Sequence, residues 1–170
     1  MIIGVAGLPG AGKTTVSRLL GEAGFKVYSM GDIVRRRAAE LGMSTDEASV
    51  YLRITRGARA IVMDLLNEME GDNAVVEGLR SVDELDALRE RFDSVFLIYV
   101  ASSMGVRFNR LRNRGRPDDP RNPRDLIARD YRELKFGLAE LISRADRIIL
   151  NDDGLESLRE SVRNIIQSIS

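Results

Sequence analysis

Gly7-Leu8-Pro9-Gly10-Ala11-Gly12-Lys13-Thr14, preceded by the apolar run Ile2-Ile3-Gly4-Val5-Ala6, is the stretch on which the fold turns. It matches G-x-x-x-x-G-K-S/T, and its surroundings predict a buried strand before it and a helix after it. Gly10 and Gly12 remove side chains, so backbone N–H groups from Gly7 through Thr15 can curl around a phosphate. The helix N-terminus adds the positive end of its dipole. In such a loop Lys13 bridges the β- and γ-phosphates of a nucleoside triphosphate, and the Thr14 hydroxyl ligates Mg²⁺. ATP and Mg²⁺ are therefore the expected cofactors. The loop leaves the fate of the γ-phosphate open among kinase, switch and motor.

Working outward, Lys13 to Ala23 reads as the helix and Phe25 to Ser29 as a second strand. Asp32 to Leu41 is helical, with Asp32 as a candidate N-cap. Ser44 to Glu47 has the spacing of a capping box for a further helix, interrupted at Gly57 and continued through Ile61 to Met69. Ala74 to Val76 forms a third strand, Val82 to Arg91 a helix and Val95 to Val100 the clearest buried strand. Val106 to Arg114 is a basic helix, and Arg116 to Pro123 is a loop with three prolines. Leu126 to Ser143 is helical, Arg147 to Leu150 is a fifth strand, and Leu155 to Ser168 closes the chain. This alternation predicts an α/β fold, a five-stranded parallel sheet with helices on both faces. The 170 residues suit a single domain, 1–170, with a helical arm at about 32–72 and a short Arg-rich lid at about 110–130.

Composition narrows the chemistry. Cysteine and histidine are both absent, which excludes disulfides, thiolate or imidazole metal sites and a Ser-His-Asp triad. Proton transfer falls to carboxylates, Lys, Tyr or water. The 26 basic and 26 acidic residues cancel, so there is no global pull toward nucleic acid. Arg supplies 23 of the 26 positive charges, which suits bidentate recognition of phosphate and carboxylate. No apolar run approaches the roughly 20 residues that span a bilayer, and cytoplasmic residence is the default expectation.

Three arginine-bearing segments stand near the expected phosphate site. Gly31, Asp32 and Arg35 follow the second strand, where Arg35 can reach an acceptor phosphate; helix capping is the other reading of Asp32. Glu77, Gly78 and Arg80 end the third strand. Glu77 can hold Mg²⁺ through water and Arg80 can clamp the acceptor, or the two can be a surface pair. Arg107 to Arg132 holds nine Arg and four Asp, a local excess of +5. Arg110 and Arg114 are i and i+4 on one helix, a like-charge pair that calls for an anion between them. Arg116 follows in the proline-bounded loop, which can close over a transferring phosphoryl group. A basic helix that binds RNA is the competing reading, with only Phe108 available for base stacking.

These residues together resemble the nucleoside monophosphate kinases, in particular an archaeal group of adenylate-kinase-related, dephospho-CoA-kinase-like P-loop proteins. The resemblance covers nearly the whole chain. It implies that Gly31, Asp32 and Arg35 open the monophosphate arm, that Gly78 and Arg80 contact the acceptor phosphate, and that Arg110 and Arg114 pack on ATP. Arg116 and Arg129 are similar to lid arginines of such kinases. Asn151 to Gly154 resembles the adenine-side loop after the last strand; a plain turn before the final helix fits equally well. The family's Asp-Gly-Phe-Pro-Arg is Glu77-Gly78-Leu79-Arg80 here, with a longer carboxylate and no proline. The expected activity is Mg-ATP-dependent phosphoryl transfer to a small-molecule nucleotide, AMP first. Lys13, Arg80, Arg114 and Arg116 are the expected catalytic residues. A dephospho-CoA-type hydroxyl kinase with Asp32 as base, and a nucleotide-binding regulator or slow ATPase, are the alternatives.

Overall fold

The computed structural model describes residues 1–169. Five parallel strands form one sheet in the order β2-β3-β1-β4-β5, with β1 at Ile2–Ala6, β2 at Lys26–Ser29, β3 at Ala74–Leu79, β4 at Val95–Ala101 and β5 at Arg147–Leu150. The central strand β1 is buried along its whole length, as a strand covered on both faces must be. Its alternate residues feed two cores. Ile2 and Ala6 face α2 (Met30–Leu41), α3 (Thr45–Arg56), α4 (Ala60–Leu66), α5 (Val82–Arg91) and α8 (Ala139–Arg144). Ile3 and Val5 face α1 (Lys13–Glu22) and α9 (Leu155–Ile169). The expected five-stranded parallel α/β architecture is the observed one. Among the described residues, no helix is long and apolar enough to cross a membrane.

Several boundaries differ from the sequence expectation, each for a local reason. β3 continues past Val76 to Leu79, although Glu77 and Gly78 look like a strand end. Gly78 sits at φ 97°, where glycine carries no Cβ penalty, and the β1–β3 register slips beside it. This bulge carries Glu77 and Arg80 out over the strand ends. α2 starts at Met30, and its cap is Ser29, whose hydroxyl accepts from the Asp32 N–H. Asp32 therefore lies in the first turn and is not the N-cap.

The arm between β2 and β3 is α2, α3 and α4, and Ser44 and Glu47 form the reciprocal capping box anticipated for α3. Asp64, nearly buried on α4, ties the arm together by accepting from Arg37 and Arg56. α6 (Met104–Arg114) ends at Gly115, and Asn122 caps α7 (Pro123–Glu133), leaving eight residues, 115–122, as the connecting loop. The single helix expected from Leu126 to Ser143 is broken. Residues Leu134–Leu138 form a π turn with Gly137 at φ 103°, which separates α7 from α8.

Candidate active site

The carboxyl ends of β1, β2 and β3 open into a cleft of about 480 Å³. It is lined by the loop after β1, by the end of β3, and by residues of α6 and α7. The loop owes its shape to close approach. A Cβ on Gly12, at φ 107°, would stand 2.2 Å from the Asn151 amide nitrogen, and one on Gly7 would stand 2.3 Å from the Val100 carbonyl oxygen. Neither position tolerates a side chain.

Lys13 donates to the carbonyl oxygens of Gly7 (2.8 Å) and Leu8 (3.1 Å), so its ammonium sits across the mouth of the loop. Burial pushes its pKa down to about 8, against the opposing pull of Glu133 and Glu77. The Thr14 hydroxyl donates to Glu77 Oε1 at 2.7 Å. A hydroxyl and a carboxylate from two elements thus meet at the helix N-terminus, a hard oxygen pair of the kind Mg²⁺ accepts. Among the described residues, no group of three or more acidic side chains could hold a metal alone. A metal on this pair needs further oxygens, such as those of a phosphate chain or water.

Behind the loop lies a brace. Asn151 is buried, and its amide donates to the Ala11 carbonyl at 2.8 Å. Arg110 donates to the carbonyls of Ala11 (3.3 Å) and Asn151 (2.7 Å) and to the Ser102 hydroxyl (2.9 Å). Arg110 still lines the cleft, whereas Asn151 does not. Its side chain supports the loop from behind. Arg107, on the same helix, was legible only as one basic residue among nine. It is buried and makes a bidentate pair with Asp130 (2.8 and 2.7 Å) while donating to the Pro9 carbonyl at 3.2 Å. It joins the loop to α7.

The anion demanded by the Arg110–Arg114 pair is met from within the chain. Arg114 donates to Asp119 (Nε at 3.0 Å), while Arg110 turns to carbonyls. Asp118 and Asp119 also hold Arg129, and the Arg116 N–H donates to Asp119 at 2.8 Å. The Arg116 guanidinium has no ion-pair partner among the described residues, and it lines the cleft with Arg114 and Arg129.

On the other wall, Gly31, Gly78 and Arg80 line the cleft, but Asp32 and Arg35 do not. Asp32 and Arg35 pair with each other beside Gly31, and the Asp32 side chain is 66% exposed. Arg80 is held by Glu133 (Nε to Oε2, 2.9 Å) and by the Ser49 hydroxyl (2.8 Å). Behind it Arg53 pairs with the fully buried Glu84 at 2.6 Å and packs on Phe136. Glu133 was not foreseen as a site residue. Nothing in the helical pattern of α7 marks it, because its partners come from distant segments.

Comparison with known proteins identifies the family and the fold. Residues 3–131 match the AAA domain family. A UPF0200 protein of Pyrobaculum aerophilum is 44% identical over 167 residues, covering 97% of this chain and 96% of that protein. One from Methanopyrus kandleri is 42% identical over 177 residues, covering 99% and 90%. The chain belongs to the UPF0200 family and carries the AAA domain. Among solved structures, shikimate kinase from Bacteroides thetaiotaomicron superposes with a TM-score of 0.67 at 18% identity, covering 99% of this chain and 98% of that one. Shikimate kinase from Acinetobacter baumannii, in complex with shikimate, gives 0.62 at 22%, covering 99% and 92%. A sugar kinase from Janibacter gives 0.65 at 19%, covering 98% and 94%. At these identities the likeness is one of fold, and the fold is the one these kinases have.

Proposed function

We propose that the protein transfers the terminal phosphoryl group of Mg-ATP to a small-molecule acceptor. The observation that carries this reading is the meeting of Thr14 and Glu77 at 2.7 Å beside Lys13, at the mouth of a loop whose Gly7 and Gly12 admit no side chain. In this reading the backbone of Gly7, Gly10, Ala11, Gly12 and Thr15 cradles the phosphates, and Lys13 turns from carbonyls to phosphate oxygens. Thr14 and Glu77 would hold Mg²⁺, Glu77 through water. Bound there, the metal neutralises charge on the phosphate chain. Arg114, Arg116 and Arg129 face the same space from the lid side and stabilise charge as the phosphoryl group moves. Arg110 fixes the loop and meets the nucleotide's edge, and Asn151 acts through the loop it supports.

Two acceptor classes fit the opposite wall. A nucleoside monophosphate, AMP first, would place its phosphate on Arg80, with Arg35 swinging from Asp32. A hydroxyl acceptor would need a carboxylate in the cleft, and Glu133 supplies one where Asp32 does not. The small polar acceptors of the fold's neighbours, the shikimate and sugar kinases, add weight to the second class. The test is phosphoryl transfer from Mg-ATP, read as separated products. The acceptors are AMP, CMP, dCMP, UMP, GMP, dephospho-CoA and shikimate, and Lys13→Ala is the blank. Lys13-dependent appearance of one phosphorylated acceptor is the expected result. No Lys13-dependent ATP turnover with any acceptor, water included, would overturn the reading.

A further inference from the structure

The cleft holds two carboxylates, and only one has a role in the nucleotide site. Glu77 pairs with Thr14. Glu133 comes from the last turn of α7, its side chain 11% exposed, and points into the same space as Lys13, Thr14 and Arg80. A carboxylate this enclosed needs partners. Its partners are cations from separate elements: Arg80 after β3 in direct contact, with Lys13 on α1 and Arg53 on α3 interacting through charge.

This placement has a consequence for the acceptor. Arg80 gives its Nε to Glu133 and one terminal nitrogen to Ser49. The other acceptor-side arginine, Arg35, is neutralised by Asp32. The acceptor wall therefore carries no uncancelled arginine. A second phosphate arriving there would meet the Glu133 carboxylate at close range, and like charges in an enclosed site are strongly disfavoured. A neutral hydroxyl meets no such penalty, and an ionised carboxylate is the group its proton can move to.

We propose that Glu133 selects a hydroxyl acceptor over a phosphate acceptor and receives the hydroxyl proton during transfer. The inference rests on the phosphotransferase reading above and names its acceptor class. The acceptor oxygen forms a bond to the γ-phosphorus as the bond from that phosphorus to the β–γ bridging oxygen breaks. The bridging oxygen leaves as part of ADP. The hydroxyl proton passes to a Glu133 oxygen and then to solvent. Arg80 orients the carboxylate; Asp32 takes no part.

Water is the simplest hydroxyl acceptor, so the test does not require the natural one. Mg-ATP hydrolysis would be measured for the wild type, Glu133→Gln and Glu133→Asp, with the Kd of a fluorescent ATP analogue measured beside it. Glu133→Gln keeps a hydrogen-bonding group for Arg80 and should lose about 10²-fold in hydrolysis, while the analogue's Kd moves less than about twofold. Glu133→Asp should recover part of the rate. In a second arm, AMP is titrated calorimetrically in the presence of Mg-ADP. Wild type should show no Arg80-dependent binding, and Glu133→Gln should gain affinity by about tenfold or more as the repulsion is removed. Undiminished hydrolysis by Glu133→Gln would overturn the inference. So would tight AMP binding to wild type that disappears in Arg80→Ala. Absence of Lys13-dependent turnover in wild type would sink the phosphotransferase reading itself, and the AMP titration would still decide whether Glu133 excludes a phosphate.

Discussion

The two walls of the cleft treat their cations in opposite ways. On the loop side, Lys13 and Arg110 donate to backbone carbonyls and, for Arg110, the Ser102 hydroxyl; Arg116 has no ion partner among the described residues, while Arg114 and Arg129 pair with Asp118 and Asp119. Carbonyl contacts leave the net positive charge uncancelled. On the arm side, Arg35 and Arg80 are each matched by a carboxylate. Both sides carry arginine, yet only the loop side has cations with no carboxylate in contact, Lys13, Arg110 and Arg116. Counting basic residues along a sequence cannot separate these cases. In the proposed reading a polyanion belongs on the loop side, and the arm side suits a ligand with less negative charge.

The largest test of that contrast is Lys13→Ala. It removes the charge across the loop mouth, and phosphoryl transfer or hydrolysis should fall by about 10³-fold. Steady-state rates with Mg-ATP check it; a loss under tenfold would break the assignment of the loop side. The next effect is on stability. Arg107→Ala leaves the largely enclosed Asp130 without its bidentate partner and frees the Pro9 carbonyl. Unfolding free energy should drop by about 3–5 kcal/mol, read by chemical denaturation. Nucleotide affinity should drop with it, because Arg107 joins the loop to α7.

The arm supplies the smaller counterpart. Asp64→Asn weakens contacts to Arg37 and Arg56, whose guanidinium groups are well exposed. Partial exposure discounts the loss to about 1–2 kcal/mol. Binding of an ATP analogue should be unaffected. If that affinity fell as far as the stability did, the two walls would not be energetically separate.

The sequence carried the fold because its signals are local. The glycine loop between an apolar strand and a helix, and the regular alternation that follows, require no knowledge of distant contacts. The same holds for the capping box at Ser44 and Glu47. The site was legible only where it rests on such local patterns. Gly7 to Thr15, Glu77 and Arg80 were found because a motif or a strand end places them. Glu133 and Arg107 were invisible as site residues, since their roles depend on Arg80, Asp130 and Pro9, all far along the chain. Asp32 is the converse case. Its chemistry suited both a cap and a base, but Ser29 takes the cap one turn earlier, and Asp32 is not among the residues that line the cleft. Gly78 looked like a strand terminator, and a bulge lets the strand pass through it.

Protonation gives the finest measurement of the contrast. Burial lowers the Lys13 pKa to about 8. A bound phosphate chain would raise it, because an anion beside an ammonium favours the charged form. Binding between pH 8 and 9 must then take up a proton, and affinity must fall as pH rises through 8, by at most about tenfold per unit. Titration calorimetry in buffers of different ionisation enthalpy reads that proton directly. The same group predicts the opposite slope for stability without nucleotide. Its folded pKa lies below the unfolded value of 10.5, so between pH 8 and 10.5 the unfolded chain binds more protons. The Lys13 contribution to stability therefore rises with pH over that window while nucleotide affinity declines. Lys13→Met should abolish both slopes together. If proton uptake persisted in that variant, the titrating cation would lie elsewhere, and the uncancelled charge of the loop side would have to be reassigned.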